Sequence, residues 1–176
     1  PAHITRNINA AKTARYIKEN VDETLNFANK CAKANVKRFI FISSIKVNGE
    51  STISGIPFRE TDTPNPLDDY AISKYKIELG LFEIAKNSNM EIVIIRPPLM
   101  YGPGVKGYFG HLLGLIKNNI PLPFKSIDQN LRSFIYLENF LNFLSIVIYH
   151  PGAINNIFIC SDKNDISTSE LLNHLY

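Results

Sequence analysis

A chain of 176 residues, 45% hydrophobic and 20% charged, is long enough to bury its own core without a disulfide or metal staple. A net charge of +3, with acidic and basic residues interspersed, excludes the basic stripe of a nucleic-acid surface. No apolar run reaches membrane-spanning length and no signal peptide is visible. The two cysteines, Cys31 and Cys160, have no CxxC partner and no nearby histidines, which argues against a zinc site. They read as buried, reduced thiols of a cytoplasmic protein.

In chain order, residues 12–34 read as a helix. Ile17, Val21, Leu25, Ala28 and Ala32 repeat at helical spacing, and Asn35 is the expected stop. "RFIFIS" is a continuous apolar run, as expected of a strand buried on both faces. Residues 45–66, rich in Gly, Ser, Thr and Pro, read as loop. A second helix is expected from Leu67 to Asn87, with Tyr70, Ile77, Leu81 and Ile84 inward. "EIVIIRPP" is a second apolar strand, stopped by Pro97 and Pro98. A turn, "YGPGVKG", leads to a helix over about Phe109 to Asn118. "RSFIYL" is a short strand, "ENFLNFLSIVIYH" a helix and "NIFICS" the last strand. Ser167 and Glu170 form a capping box that opens a final helix. Strands alternating with helices predict an α/β fold on a parallel sheet, helices on both faces. Ligands in such sheets bind beyond the carboxyl ends of the strands, here at "SSIKVNGE" and "PPLMYGPG".

The chemistry centres on "YAISK". Tyr70 and Lys74 are four residues apart and share one helix face. That spacing alone is weak, and an ordinary surface pair explains it equally well. Its setting adds weight, because the preceding strand ends in Ser43 and Ser44, on the sheet edge where the next helix begins. A free tyrosine is a poor base at neutral pH, but a neighbouring ammonium favours the phenolate. Ser44, Tyr70 and Lys74 converging on one ligand would suit proton transfer coupled to hydride transfer at a carbinol carbon.

Five segments in order then resemble the extended short-chain dehydrogenase/reductases of the nucleotide-sugar epimerase/dehydratase group. They are "NVDET" (20–24), "VKRFIFISSIKVNGE" (36–50), "YAISK" (70–74), "IIRPPLMYGPG" (94–104) and "RSFIYLEN" (132–139). The resemblance implies the C-terminal half of a Rossmann-like, doubly wound parallel sheet. Residues 1–100 would be the end of the dinucleotide-binding domain with its catalytic residues. Residues 101–176 would be an incomplete substrate-binding and sheet-completing segment. It implies Ser44, Tyr70 and Lys74 as catalytic residues. Asn20, Ser43, Tyr70, Lys74 and Pro97 would hold NAD, or NADP, and Ser44 and Arg132 the nucleotide-sugar substrate. Arg132 would grip the diphosphate, while Arg96 is expected to be structural. Lys46 and Asn48 lie in the loop nearest the sugar, and His3 resembles the residue after the family's fourth strand.

The implied function is a UDP-sugar 4-epimerase working through a 4-keto sugar. The alternatives are a 4-keto (amino) sugar reductase of surface polysaccharide synthesis and, from another class, a non-catalytic dinucleotide-binding scaffold. Dehydration is disfavoured, because Ile45 and Lys46 stand where the family's dehydratases carry acids, and Glu60 and Asp62 come later. The family's glycine-rich phosphate loop has no counterpart in the chain. The chain therefore reads as a fragment that alone would bind NAD poorly. A homodimer through helices 12–34 and 67–87 is implied by the resemblance.

Overall fold

A computed structural model describes residues 10–53, 55–104, 114 and 130–175. His3 and nearly all of the helix expected over 109–118 lie outside the described residues. The chain forms two compact units: residues 1–96 with 146–159, and residues 97–145 with 160–176.

In the first unit, helix α1 (Ala10–Lys33) precedes strand β1 (Arg38–Ile42). The helix stops where Asn35 takes a left-handed φ of 59°. Val36 N–H then closes on the Cys31 carbonyl and Asn35 N–H on Ala32, which satisfies the last carbonyls of the helix. Helix α2 (Asp69–Lys86) and strand β2 (Glu91–Arg96) follow. After β3 (Leu99–Tyr101) and β4 (Phe134–Tyr136), which belong to the second unit, strand β5 (Asn156–Ile159) completes a parallel sheet of order β1-β2-β5. The two prolines after Arg96 end β2 as expected, since neither can donate to a ladder.

One face of this sheet makes the core. Phe39 and Phe41 of β1, Ile92 and Ile94 of β2 and Ile157 of β5 stand in paired rows. Against them pack Leu25 and Ala28 from α1 and Ile77 and Leu81 from α2. On the other face Val93 and Ile95 are also fully buried. In the same row Arg38 pairs with Glu91, and its Nη1 donates to the carbonyls of Val147, Ile148 and His150 at 2.6–3.0 Å. A cation at the carbonyl end of a helix is favourable, so Arg38 anchors the end of helix α3 (Leu137–Tyr149). Strand β2 is buried on both faces as expected, whereas β1 is only partly buried apart from Phe41.

The second unit holds strands β3 (Leu99–Tyr101) and β4 (Phe134–Tyr136), paired in parallel. It also holds most of α3 and helix α4 (Thr168–Leu175). Asp162 ties it together by accepting from the Tyr101 hydroxyl, Tyr136 N–H and the Asn139 amide at 2.9–3.0 Å. The Ser167 hydroxyl accepts from Glu170 N–H at 3.1 Å, so half of the expected capping box is made. Cys31 and Cys160 are free and half-buried rather than fully buried. Burial and the nearby Asp162 charge push the Cys160 thiol up to about 11.

Candidate active site

The end of β1 and the first turns of α2 bring the predicted acid–base residues into one region of the first unit. Asp68 opens α2: its Oδ1 accepts from Ala71 N–H at 2.7 Å, satisfying one of the helix's orphan donors. Tyr70 lies in the first turn of α2 and Lys74 in the second, both half-buried. The Lys74 ammonium donates to the Ile42 carbonyl, the last of β1, at 2.9 Å. It lies 4.6 Å from the Phe41 ring centre and 5.7 Å from that of Tyr70. Burial lowers the Lys74 pKa, and the negative charge of Glu78 only partly offsets it. A half-buried ammonium with one carbonyl partner has donors to spare, and a sugar or ribose diol would satisfy them. On that chemistry the residues fit the ribose end of a nicotinamide cofactor.

Ser43 and Ser44 differ in what they can reach. Ser43 is buried, its N–H bonded to the Ile95 carbonyl at 2.7 Å and its hydroxyl donating to Glu78 Oε1 at 2.5 Å. Ser44 is half-buried and caps a single 3₁₀ turn, Ile45–Val47, where loop alone was expected. The Ser44 hydroxyl accepts from Lys46 N–H at 3.3 Å and retains its own proton to donate. Lys46 spans Glu50 and Asp68 at 2.9 and 2.6 Å. Burial works against its charge, but the two carboxylates prevail and raise its pKa. Lys46 is therefore held as a cation two residues after Ser44. Gly49 has a φ of 148°, and a Cβ there would meet the Phe58 ring at 3.2 Å, so the loop needs glycine at this point.

The other expected residues lie farther along the chain. Asn20 sits half-buried in α1, where its backbone carbonyl accepts from the Thr24 hydroxyl at 2.8 Å. Pro97 is buried at the start of the second unit. Arg132, also of the second unit, is exposed and bridges Ile166 through its backbone in both directions at 3.0 and 3.1 Å.

Sequence reasoning missed Glu78. It continues the Tyr70–Lys74 spacing by one more turn, is 1% exposed, and meets Arg96, also 1% exposed. The Arg96 fork donates Nε and Nη2 to the two Glu78 oxygens at 3.0 and 2.5 Å, and Nη1 to Asn48 Oδ1 at 2.9 Å. The available signal was two opposite charges at positions that periodicity assigns to the core. Among the described residues no cluster of His, Cys, Asp and Glu could hold a metal ion. No helix there is long and apolar enough to cross a membrane.

The model of the NAD dependent epimerase/dehydratase family matches residues 2–160. The chain is 46% identical over 174 residues to a UDP-glucose 4-epimerase of Vibrio cholerae, covering 99% of this chain and 53% of that protein. The chain spans about half the length of the curated relatives it matches. Among solved structures, it superposes on a UDP-glucose 4-epimerase of Thermotoga maritima with UDP-glucose. The TM-score is 0.80 at 23% identity, over 94% of this chain and 54% of that one. It superposes equally on a UDP-glucuronic acid 4-epimerase of Bacillus cereus in complex with UDP-glucuronic acid and NAD. There the TM-score is also 0.80 at 23% identity, over 91% and 51% of the two chains. These likenesses establish the Rossmann-like α/β fold. Since the family model spans nearly all of the chain, including the strand end and helix that carry Ser44, Tyr70 and Lys74, the chain belongs to the NAD-dependent epimerase/dehydratase family.

Proposed function

We propose that the complete protein is a UDP-sugar 4-epimerase that uses a bound nicotinamide dinucleotide, NAD, and passes through a 4-keto sugar. The observation that carries this reading is the Lys74 ammonium, held at the Ile42 carbonyl 2.9 Å away and 5.7 Å from the Tyr70 ring. A cation so placed favours the phenolate, which makes Tyr70 a base that can take the C4 hydroxyl proton and later return it. Ser44 donates its hydroxyl to the same sugar oxygen and keeps it aligned. Lys74 and Tyr70 hold the cofactor's ribose, with Asn20, Ser43 and Pro97 framing the cofactor. Arg132 takes the diphosphate, for which its fork geometry is suited. When bound, the dinucleotide supplies the hydride acceptor and donor.

The 46% identity to the Vibrio cholerae UDP-glucose 4-epimerase supports this choice of reaction. Lys46, bound to Glu50 and Asp68, disfavours the dehydratase alternative. The protein is proposed to work in the cytoplasm, as a homodimer through α1 and α2. Phe27 on α1 and Leu79 on α2 are 61% and 51% exposed, which suits such a contact. The test is to incubate the complete protein with UDP-glucose and no added NAD(P)H. Formation of UDP-galactose is expected. Turnover only of a 4-keto sugar, and only with stoichiometric NAD(P)H, would overturn the proposal in favour of a reductase.

A further inference from the structure

The polar cluster beneath the candidate site consists of Ser43, Glu78, Arg96 and Asn48, each 1–3% exposed. A buried ion pair is weak evidence for stability, because well-packed apolar side chains of similar size often hold a fold equally well. What apolar contact lacks is fixed direction and distance, which a bidentate guanidinium–carboxylate pair provides.

The cluster is placed where direction and distance matter. Tyr70, Lys74 and Glu78 occupy successive turns of one face of α2. The second and third of these grip consecutive residues at the end of β1: Lys74 the Ile42 carbonyl and Glu78 the Ser43 hydroxyl. Ser43 is in turn locked to β2 through the Ile95 carbonyl. Arg96 also holds Asn48, whose own amide donates to the Arg59 carbonyl at 2.9 Å and whose backbone N–H closes the 3₁₀ turn on Ile45. Along the chain, Ser44 therefore lies between two fixed points, Ser43 held to Glu78 and Asn48 held to Arg96.

We infer that Glu78 and Arg96 are positioning residues, whose paired side chains set the Tyr70–Lys74 face of α2 against the strand end that carries Ser44. The inference rests on the reading of Tyr70 and Lys74 as the acid–base pair. Neither Glu78 nor Arg96 touches substrate or cofactor in it. They act through Ser43, Asn48 and the helix itself.

The test uses the complete protein in two variants. Arg96→Lys keeps the charge balance but loses the fork, since an ammonium cannot serve both Glu78 oxygens and Asn48 in the same geometry. Glu78→Leu with Arg96→Met removes both members of the buried pair, so neither is left unpaired; because it also removes the Glu78 charge near Lys74, Lys74 labelling is read in Arg96→Lys, which keeps that charge. Three quantities are measured: melting temperature, kcat and KM for 4-epimerisation of UDP-glucose, and the rate at which an amine-acetylating reagent labels Lys74. Labelling is read by mass spectrometry, with exposed Lys86 on the same helix as internal control.

Both variants are expected to fold and to lose about tenfold to hundredfold in kcat, the usual cost of misplacing catalytic groups by about an ångström, with KM nearly unchanged. In Arg96→Lys, which keeps the Glu78 charge, Lys74 labelling should rise severalfold relative to Lys86. Wild-type kcat in a folded variant, a KM that rises in proportion to any loss, or unchanged Lys74 labelling would each overturn the inference. Tyr70→Phe is run beside them. If the wild type does not epimerise UDP-glucose, or Tyr70→Phe does so at full rate, the functional proposal fails. Lys74 labelling then decides the positioning role alone: a rise upholds it and no change refutes it.

Discussion

Asp68 offers a quantitative test of how the candidate site is built. Its carboxylate makes two contacts: Oδ1 caps α2 at Ala71 N–H, 2.7 Å away, and Oδ2 takes the Lys46 ammonium at 2.6 Å. Replacing a capping Asp by Ala costs about 1 kcal/mol, within a range of roughly 0.5–2. The ion pair joins two side chains that are each 41% exposed, so solvent screening holds it to about 0–1 kcal/mol. Asp68→Ala should therefore cost about 1–2 kcal/mol. Asp68→Asn keeps an equally good cap and loses only the charge, for about 0–1 kcal/mol. The difference between the two variants, about 1 kcal/mol, isolates the cap. Urea unfolding of the complete protein and both variants at pH 7, with m unchanged, measures it.

The pH dependence gives an independent check. Burial opposes the Asp68 charge, but Lys46 and the backbone N–H bonds win and lower its pKa from the usual 3.8. A depressed carboxylate contributes stability that is present above about 3.8 and is lost as pH falls through the folded value. The gap between wild type and Asp68→Asn should close over that acid range. Equal losses for Asn and Ala would refute the capping argument, and a gap between wild type and Asp68→Asn that persists below that range would refute the ion-pair argument.

Leu81 of α2 is 0% exposed in the core between the two helices and the sheet, so Leu81→Ala should cost about 2–5 kcal/mol by urea unfolding. A loss under about 1 kcal/mol would mean that this face is not the core. Lys74 carries a stability cost, because burial lowers its folded pKa below the usual 10.5. The folded state then binds fewer protons than the unfolded state between those two values. Wild-type stability should rise relative to Lys74→Met as pH rises through that window, and be lowest relative to it below the folded pKa. A flat or falling difference as pH rises toward 10.5 would contradict the buried-ammonium reading.

Much of the architecture was legible because periodicity and punctuation agreed. The apolar spacing of α1, its stop at Asn35 and the prolines closing β2 all report local sterics, and each stands where expected. β1 was read as buried on both faces because "RFIFIS" is continuously apolar. In this chain it is the outer strand of β1-β2-β5, so only Phe41 falls in the buried range. The 3₁₀ turn at Ile45–Val47 escaped notice because a single turn has no period to detect. The pairing of Glu78 with Arg96 escaped for a different reason: side chains 18 residues apart meet only through the packing of α2 on β2, and neither position alone names its partner. Tyr70 and Lys74 were legible as a spacing. The placement of Lys74 at the Ile42 carbonyl depends on that same packing.

The most direct measurement is 4-epimerisation of UDP-glucose by the complete protein with Tyr70→Phe, which removes the phenolic proton and leaves the ring. General acid–base groups contribute about 10²–10⁴-fold, so kcat should fall by at least a hundredfold with the fold and its melting temperature preserved. A Tyr70→Phe protein that turns over within about threefold of wild type would contradict the assignment of Tyr70 as the proton carrier, since the loss would be far below what such a group supplies.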